Sequence, residues 1–173
     1  RPHPLFEKRE KPQKAEFLII TSDRGLCGGF NGNLLRRVEG FLKEKGSICP
    51  EIRVSVVGRK GRDFFRSRKR EPDQILTGMG ESMPFEQALK IAEDLTTGYQ
   101  EGRFDEFYLV SNFFRSAISQ EIRIDPILPI TGGEQKGDYH LPEYLYEPSR
   151  PELIGRLVSR AVATIIRRAF LES

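Results

Sequence analysis

Alternation constrains this chain more than any other property. Residues 16–22 (EFLIITS), 52–57 (IRVSVV) and 106–112 (EFYLVSN) are short, apolar and rich in β-branched or aromatic side chains. Between them lie stretches whose apolar residues recur every three or four positions. Leu34, Leu35, Val38, Phe41 and Leu42 follow the first run, and Phe85, Ala88, Leu89, Ala92, Leu95 and Tyr99 precede the third. A period of two buries one side of a strand, whereas a period near 3.6 buries a stripe along a helix. Parallel strands need a crossover that packs back on the sheet. The order strand, helix, strand, short helix, helix, strand therefore predicts a mostly parallel sheet with helices on both faces.

Local punctuation sharpens this outline. Asn31 or Asn33 is a candidate cap for the first helix, and Gly46 is expected to stop it near Lys45. Gly58 opens a short helix holding Phe64 and Phe65, Gly78-Met79-Gly80 reads as a turn, and Pro84 suits a helix's first turn. Residues 121–130 contain an extended stretch ending in Pro126 and Pro129. From Pro151 a last helix turns Ile154, Leu157, Val158, Ala161, Val162, Ile165 and Ala169 inward. Arg156, Arg160, Arg167 and Arg168 mark its polar side, and no stop signal precedes Ser173. The expected fold class is α/β: a Rossmann-like three-layer domain with a mostly parallel sheet. The expected division is a linker over 1–15, a globular domain over 16–148, and a separate helix beginning over 149–173. The opening Arg-Pro-His-Pro and the helix still in stride at Ser173 read as the interior of a longer chain.

Composition narrows the classes. The chain has 173 residues, suiting about one domain. Its longest wholly apolar run is only residues 17–20, far short of the ~20 residues a membrane helix needs. Cys27 and Cys49 are too few for a disulfide scaffold. Lys and Arg exceed Asp and Glu by 28 to 25, a net charge of +3. Residues 59–71 hold seven basic side chains against Asp63 and Glu71, a run that suits a solvated helix end, an acidic partner or nucleic acid. No aromatic-interleaved RNA signature or zinc spacing accompanies it.

The most unusual stretch is Thr21-Ser22-Asp23-Arg24-Gly25-Leu26-Cys27-Gly28-Gly29-Phe30-Asn31. A glycine turn between strand and helix can present N–H groups to a phosphate, which makes the Gly25 to Asn31 loop an alternative nucleotide site. It lacks the Lys-Ser/Thr ending of a Walker loop and misses the G-x-G-x-x-G spacing. Cys27 near a helix start is open to a nucleophile role, but neither His3 nor His140 is placed beside it by sequence. A tight turn with a small, partly buried cysteine fits the same residues.

That loop also carries a resemblance. Ile-Thr-Ser-Asp-Arg-Gly-Leu-Cys-Gly-Gly-Phe-Asn resembles the signature loop of the γ subunit of F-type ATP synthases. Similar blocks follow in order: Val57-Gly58-Arg59-Lys60-Gly61 with Phe64-Phe65, Thr77-Gly78-Met79-Gly80, Tyr108-Leu109-Val110-Ser111-Asn112, and Tyr144-Leu145-Tyr146-Glu147-Pro148. They span nearly the whole chain. The resemblance implies the globular middle of a bacterial-type rotor shaft, with residues 149–173 beginning its C-terminal coiled-coil helix. It implies no catalysis by this chain, no cofactor and no metal. ATP is made or hydrolysed at sites on β, completed by α, and γ transmits rotation between them and the membrane c-ring.

The implied partners are the α, β and ε subunits and the c-ring, with no nucleic acid and no direct membrane insertion. The implied place is peripheral, at the cytoplasmic face of the bacterial inner membrane. Arg24, Cys27, Arg36 and Arg37 match positions expected to meet the acidic lower lever of β. Tyr144 and Glu147 match positions expected near the c-ring and ε. Arg36 and Arg37 also suit ordinary helix-surface solvation, and Tyr144 and Tyr146 a turn in which both pack on the core. No closely spaced cysteine pair of the chloroplast kind is present, so Cys27 and Cys49 are not expected to form a redox switch.

Overall fold

The computed structural model describes residues 3–21, 32–77, 82–116, 119–130 and 150–172. Among them, five strands form one sheet: β1 (Lys14–Ile20), β2 (Glu51–Val57), β3 (Gln74–Leu76), β4 (Glu106–Ser116) and β5 (Ser119–Leu128). Four helices surround it: α1 (Gly32–Ile48), α2 (Arg59–Ser67), α3 (Phe85–Gln100) and α4 (Pro151–Glu172). The strand order is β3-β2-β1-β4-β5. β1 pairs in parallel with β2 and with β4, and β2 in parallel with β3. The α/β, mostly parallel expectation holds.

Central β1 is buried on both faces, which is why its sequence reads as a nearly unbroken apolar run. Leu18 and Ile20 point into one cluster with Leu109, α3 and α4; Phe17 and Ile19 point into another with α1 and α2. The first cluster is closed by Val158, Val162, Ala163 and Ile166 of α4, each with no exposed surface. Burying a Val or Ile side chain is worth about 1.5–3 kcal/mol, so this stripe fastens α4 firmly to the sheet. Thr96 of α3 and Ser159 of α4 satisfy each other's buried hydroxyls at 2.7 Å.

Several details depart from the sequence outline. β5 runs antiparallel to β4, so the extended stretch after residue 120 closes the sheet as a hairpin partner. Pro126 lies in it because an edge strand tolerates the missing donor. β4 reaches Ser116, well past the residues that β1 pairs, because β5 alone supports its outer half. β3 has only three residues and no alternation to announce it. Gly46 does not stop α1, and Cys49 N–H still donates to the Lys45 carbonyl at 2.8 Å. One internal glycine costs about 1 kcal/mol against alanine, which the packing of Leu42 and Cys49 outweighs. The Gly78–Gly80 turn lies outside the described residues.

The stretch before β1 is docked on the domain. Pro4–Phe6 forms a single 3-10 turn, and Leu5 is wholly buried beside Ile130, whose N–H donates to its carbonyl. The Arg9 guanidinium donates to the carbonyls of Tyr99 and Phe104, both at 2.7 Å, and lies 3.9 Å from the Tyr99 ring centroid. The Tyr99 hydroxyl donates back to Glu7 O at 2.6 Å. Asp105, 3.5 Å from Arg9, accepts the N–H groups of Gln13 and Lys14. Arg9 thus ties the stretch before β1 to the last turn of α3 and to the loop that follows it.

Candidate functional site

The parallel strands β1 and β2 end side by side at the carboxyl end of the sheet, where α2 starts. Thr21 organises that end. Its N–H and its hydroxyl both donate to Val57 O, at 2.8 and 2.6 Å, and its Oγ1 accepts the Gly61 N–H at 3.2 Å. Gly58 sits at φ 97°, and a Cβ there would meet Thr21 O at 2.4 Å. A Cβ on Gly61 would lie 2.6 Å from Val56 Cγ1. Only glycine permits this approach, so α2 is seated rigidly on the strand ends.

Electrostatically, α2 is unusual. Its first turn holds Arg59, Lys60 and Arg62 and no acidic residue, and Gly58 supplies no side-chain cap. Cations beside the positive end of a helix dipole are each unfavourable by about 0.3–1 kcal/mol. Past its end, Lys69 adopts φ 57°, a left-handed conformation usually taken by glycine or asparagine. Two acids offset part of the charge: Arg62 pairs with Asp63 at 2.9 Å and Arg66 with Glu71 at 3.1 Å. Arg66–Glu71 is exposed on both sides and the carboxylate of Arg62–Asp63 is exposed, so each pair is worth little.

Arg36 and Arg37, expected at a partner contact, are exposed on the first turns of α1, on the same face of the sheet as α2. Arg24, Cys27, Tyr144 and Glu147 lie outside the described residues. Cys49 is buried, and burial pushes its thiol pKa up, which disfavours the thiolate a nucleophile needs.

Two polar arrangements carry no sequence signature, because their members are far apart in the chain. Lys45 of α1 donates to the Tyr108 hydroxyl at 3.0 Å and pairs with Glu106. Burial opposes the Lys45 charge, but Glu106 and Tyr108 overcome it and hold its pKa above the ordinary lysine value. On the opposite face, a cleft of 200 Å³ is bordered by Glu16, Ser55, Gln74, Lys90 and Asp94. Burial raises the Glu16 carboxyl pKa, against the pull of Arg53 at 3.4 Å and the Ser55 hydroxyl at 3.2 Å. No group of three or more potential metal ligands occurs among the described residues. No helix there is long and apolar enough to cross a membrane.

The described residues form an α/β body with one helix packed along a face of the sheet and a basic helix seated on its strand ends. A family model described as ATP synthase matches residues 1–173, and the chain belongs to that family. The chain is 42% identical over 171 residues to the ATP synthase gamma chain of Anaeromyxobacter sp. (strain Fw109-5), covering 99% of this chain and 59% of that protein. It is 38% identical over 170 residues to the gamma chain of Geotalea daltonii, covering 98% and 58%. The chain therefore spans somewhat under three-fifths of the length of these relatives.

Among solved structures, the rotor of the Euglena gracilis mitochondrial ATP synthase superposes with a TM-score of 0.64 at 20% identity, over 94% of this chain and 62% of that one. The central stalk and c-ring structure of the Tetrahymena thermophila enzyme gives 0.61 at 22%, over 98% and 76%. Both share the fold.

Proposed function

We propose that this chain is the α/β portion of a γ-type central-stalk subunit, a non-catalytic part of a proton-translocating ATP synthase. The family match across all 173 residues carries the reading. The geometry suits it: a part that transmits rotation needs a stiff body with attachment surfaces, and α4, the docked stretch before β1 and the glycine-seated α2 supply stiffness. In this role the chain works with α, β and ε subunits and the c-ring, peripherally at the cytoplasmic face of a bacterial inner membrane. Arg24, Cys27, Arg36 and Arg37 face the β lever, while Tyr144 and Glu147 contact the c-ring and ε. Residues 149–173 begin the shaft helix, even as α4 stays packed on the domain.

The test uses the full-length subunit in membranes, with ATP hydrolysis and proton pumping measured on the same preparation. Glu147→Lys or Tyr144→Ala is expected to lower pumping per ATP while hydrolysis by the detached catalytic sector survives. Normal coupling in both variants removes these two residues from the contact surface. Calorimetry with ATP, ADP, phosphate and NAD is expected to show no stoichiometric binding by this domain. Binding that disappears on changing the 25–31 loop would favour a nucleotide-binding module instead.

A further inference from the structure

The charge of this chain is concentrated in one place. Residues 59–70 hold seven cations and one anion, an excess of six, while the whole chain carries +3; all other residues together therefore carry a net −3. The cations sit on α2 and just beyond it, the helix whose first turn opposes its own dipole and whose exit holds a lysine in a left-handed conformation. Local rules are broken three times within twelve residues, and the two acid pairs offset little of the repulsion. Places where local chemistry and fold disagree are where function is expected. The seating on Thr21 through Gly58 and Gly61 holds the helix in spite of that conflict.

We infer that α2 is a docking surface for an acidic protein partner, with Lys60, Arg62, Arg66, Arg68, Lys69 and Arg70 meeting its carboxylates. Arginine dominates the set, and its planar fork matches a carboxylate better than an ammonium does. Arg66, Arg68 and Lys69 are exposed, and Lys60, Arg62 and Arg70 are half-buried. A lipid surface fits less well, since the exposed large apolar side chains among the described residues are Ile48, Leu153 and Leu171, none of them on α2. A single-stranded nucleic acid would want a free aromatic ring. Phe65 is buried, and half-buried Phe64 has the Arg68 guanidinium 5.2 Å from its centroid. A helix seated on the strand ends, with Arg62 and Arg66 one turn apart on it and Arg68 and Arg70 just past its end, suits a folded, carboxylate-bearing surface.

The experiment is zero-length carbodiimide coupling on the full-length subunit purified with its native partners. Mass spectrometry is expected to find Lys60 or Lys69 joined by an amide bond to an Asp or Glu of another polypeptide. Arg68→Glu combined with Arg70→Glu should cut that yield about tenfold, while the matching lysine substitutions should keep most of it. The yield should also fall several-fold between about 0.05 and 0.5 M salt. Links confined to the subunit itself, or a yield indifferent to Arg68→Glu and Arg70→Glu, would overturn the inference. So would absent links together with tight binding to phosphatidylglycerol vesicles or duplex DNA at physiological salt. A link to a chain foreign to any ATP synthase would keep this inference and defeat the stalk reading. Co-purified synthase subunits with no link from Lys60 or Lys69 would do the reverse.

Discussion

The two faces of the sheet are built to different ends. On one, α3, α4 and the docked Leu5 close a continuous apolar layer, sealed further by the Thr96–Ser159 pair and the Arg9 clasp. On the other, α1 and α2 cover a smaller cluster whose centre is aromatic: Phe17 stacks on Tyr108 at 4.9 Å and Phe41 meets both edge-on. The outer side of that second layer carries Arg36, Arg37 and the basic end of α2. One face spends its side chains on cohesion, and the other keeps just enough core to hold charges in position. A contact module needs both, since a charged surface recognises a partner only if something behind it stays still.

Five substitutions probe this contrast, in descending order of effect. Val162→Asp places an unpaired charge under α4 and should cost more than about 4 kcal/mol, abolishing the cooperative thermal transition. Were α4 a separable appendage, circular dichroism would instead show the rest melting as before, and the contrast would break. Gly58→Ala drives a Cβ into Thr21 O and should cost about 3 kcal/mol in chemical denaturation. Its size would show that the contact face, too, has one rigid joint.

Arg9→Ala removes two charge-assisted bonds and should cost about 2 kcal/mol, with faster hydrogen exchange over residues 5–13. Lys45→Met leaves Glu106 without its partner and should cost about 1–2 kcal/mol at neutral pH. The folded pKa of Lys45 lies above its unfolded value of 10.5. The lysine's own contribution is therefore fully present below 10.5 and is lost as pH rises through the folded pKa, so on the alkaline side the gap between wild type and Lys45→Met should close only in strong alkali. Arg37→Ala should change stability by less than about 0.5 kcal/mol, since its side chain is exposed. A larger loss would mean that the charged face is also structural.

The elements legible in the sequence were those whose burial leaves a period. β1, β2, α3 and the inward stripe of α4 announced themselves because each packs one or two continuous apolar faces. β3 did not, because three residues are too few to show any period, and the direction of β5 did not, because alternation is the same in either orientation. The docking of residues 3–13 depends on Arg9 meeting carbonyls some ninety positions away, and no local pattern records such a partner. Of the contact residues suggested by resemblance, the structure places Arg36 and Arg37 on an exposed helix face. The basic run and the helix start at Gly58 were both visible in the sequence, but the left-handed Lys69 and the seating of Gly58 and Gly61 on Thr21 were not.

The Arg9 clasp has one further mechanical meaning. Leu5 and the inward side chains of α4 belong to one apolar layer with Leu18 and Ile20 of β1 and Leu109 of β4, so residues 3–13 and α4 are joined through packing, while the bond from Glu51 N–H to Gln13 O ties the same stretch to the sheet. A displacement of one is passed to the other as shear between packed side chains. Ladders open one bond at a time, whereas a packed layer resists as a whole. The inward side chains of β1 and β4 belong to that layer, so the near side of the sheet resists together with α3 and α4.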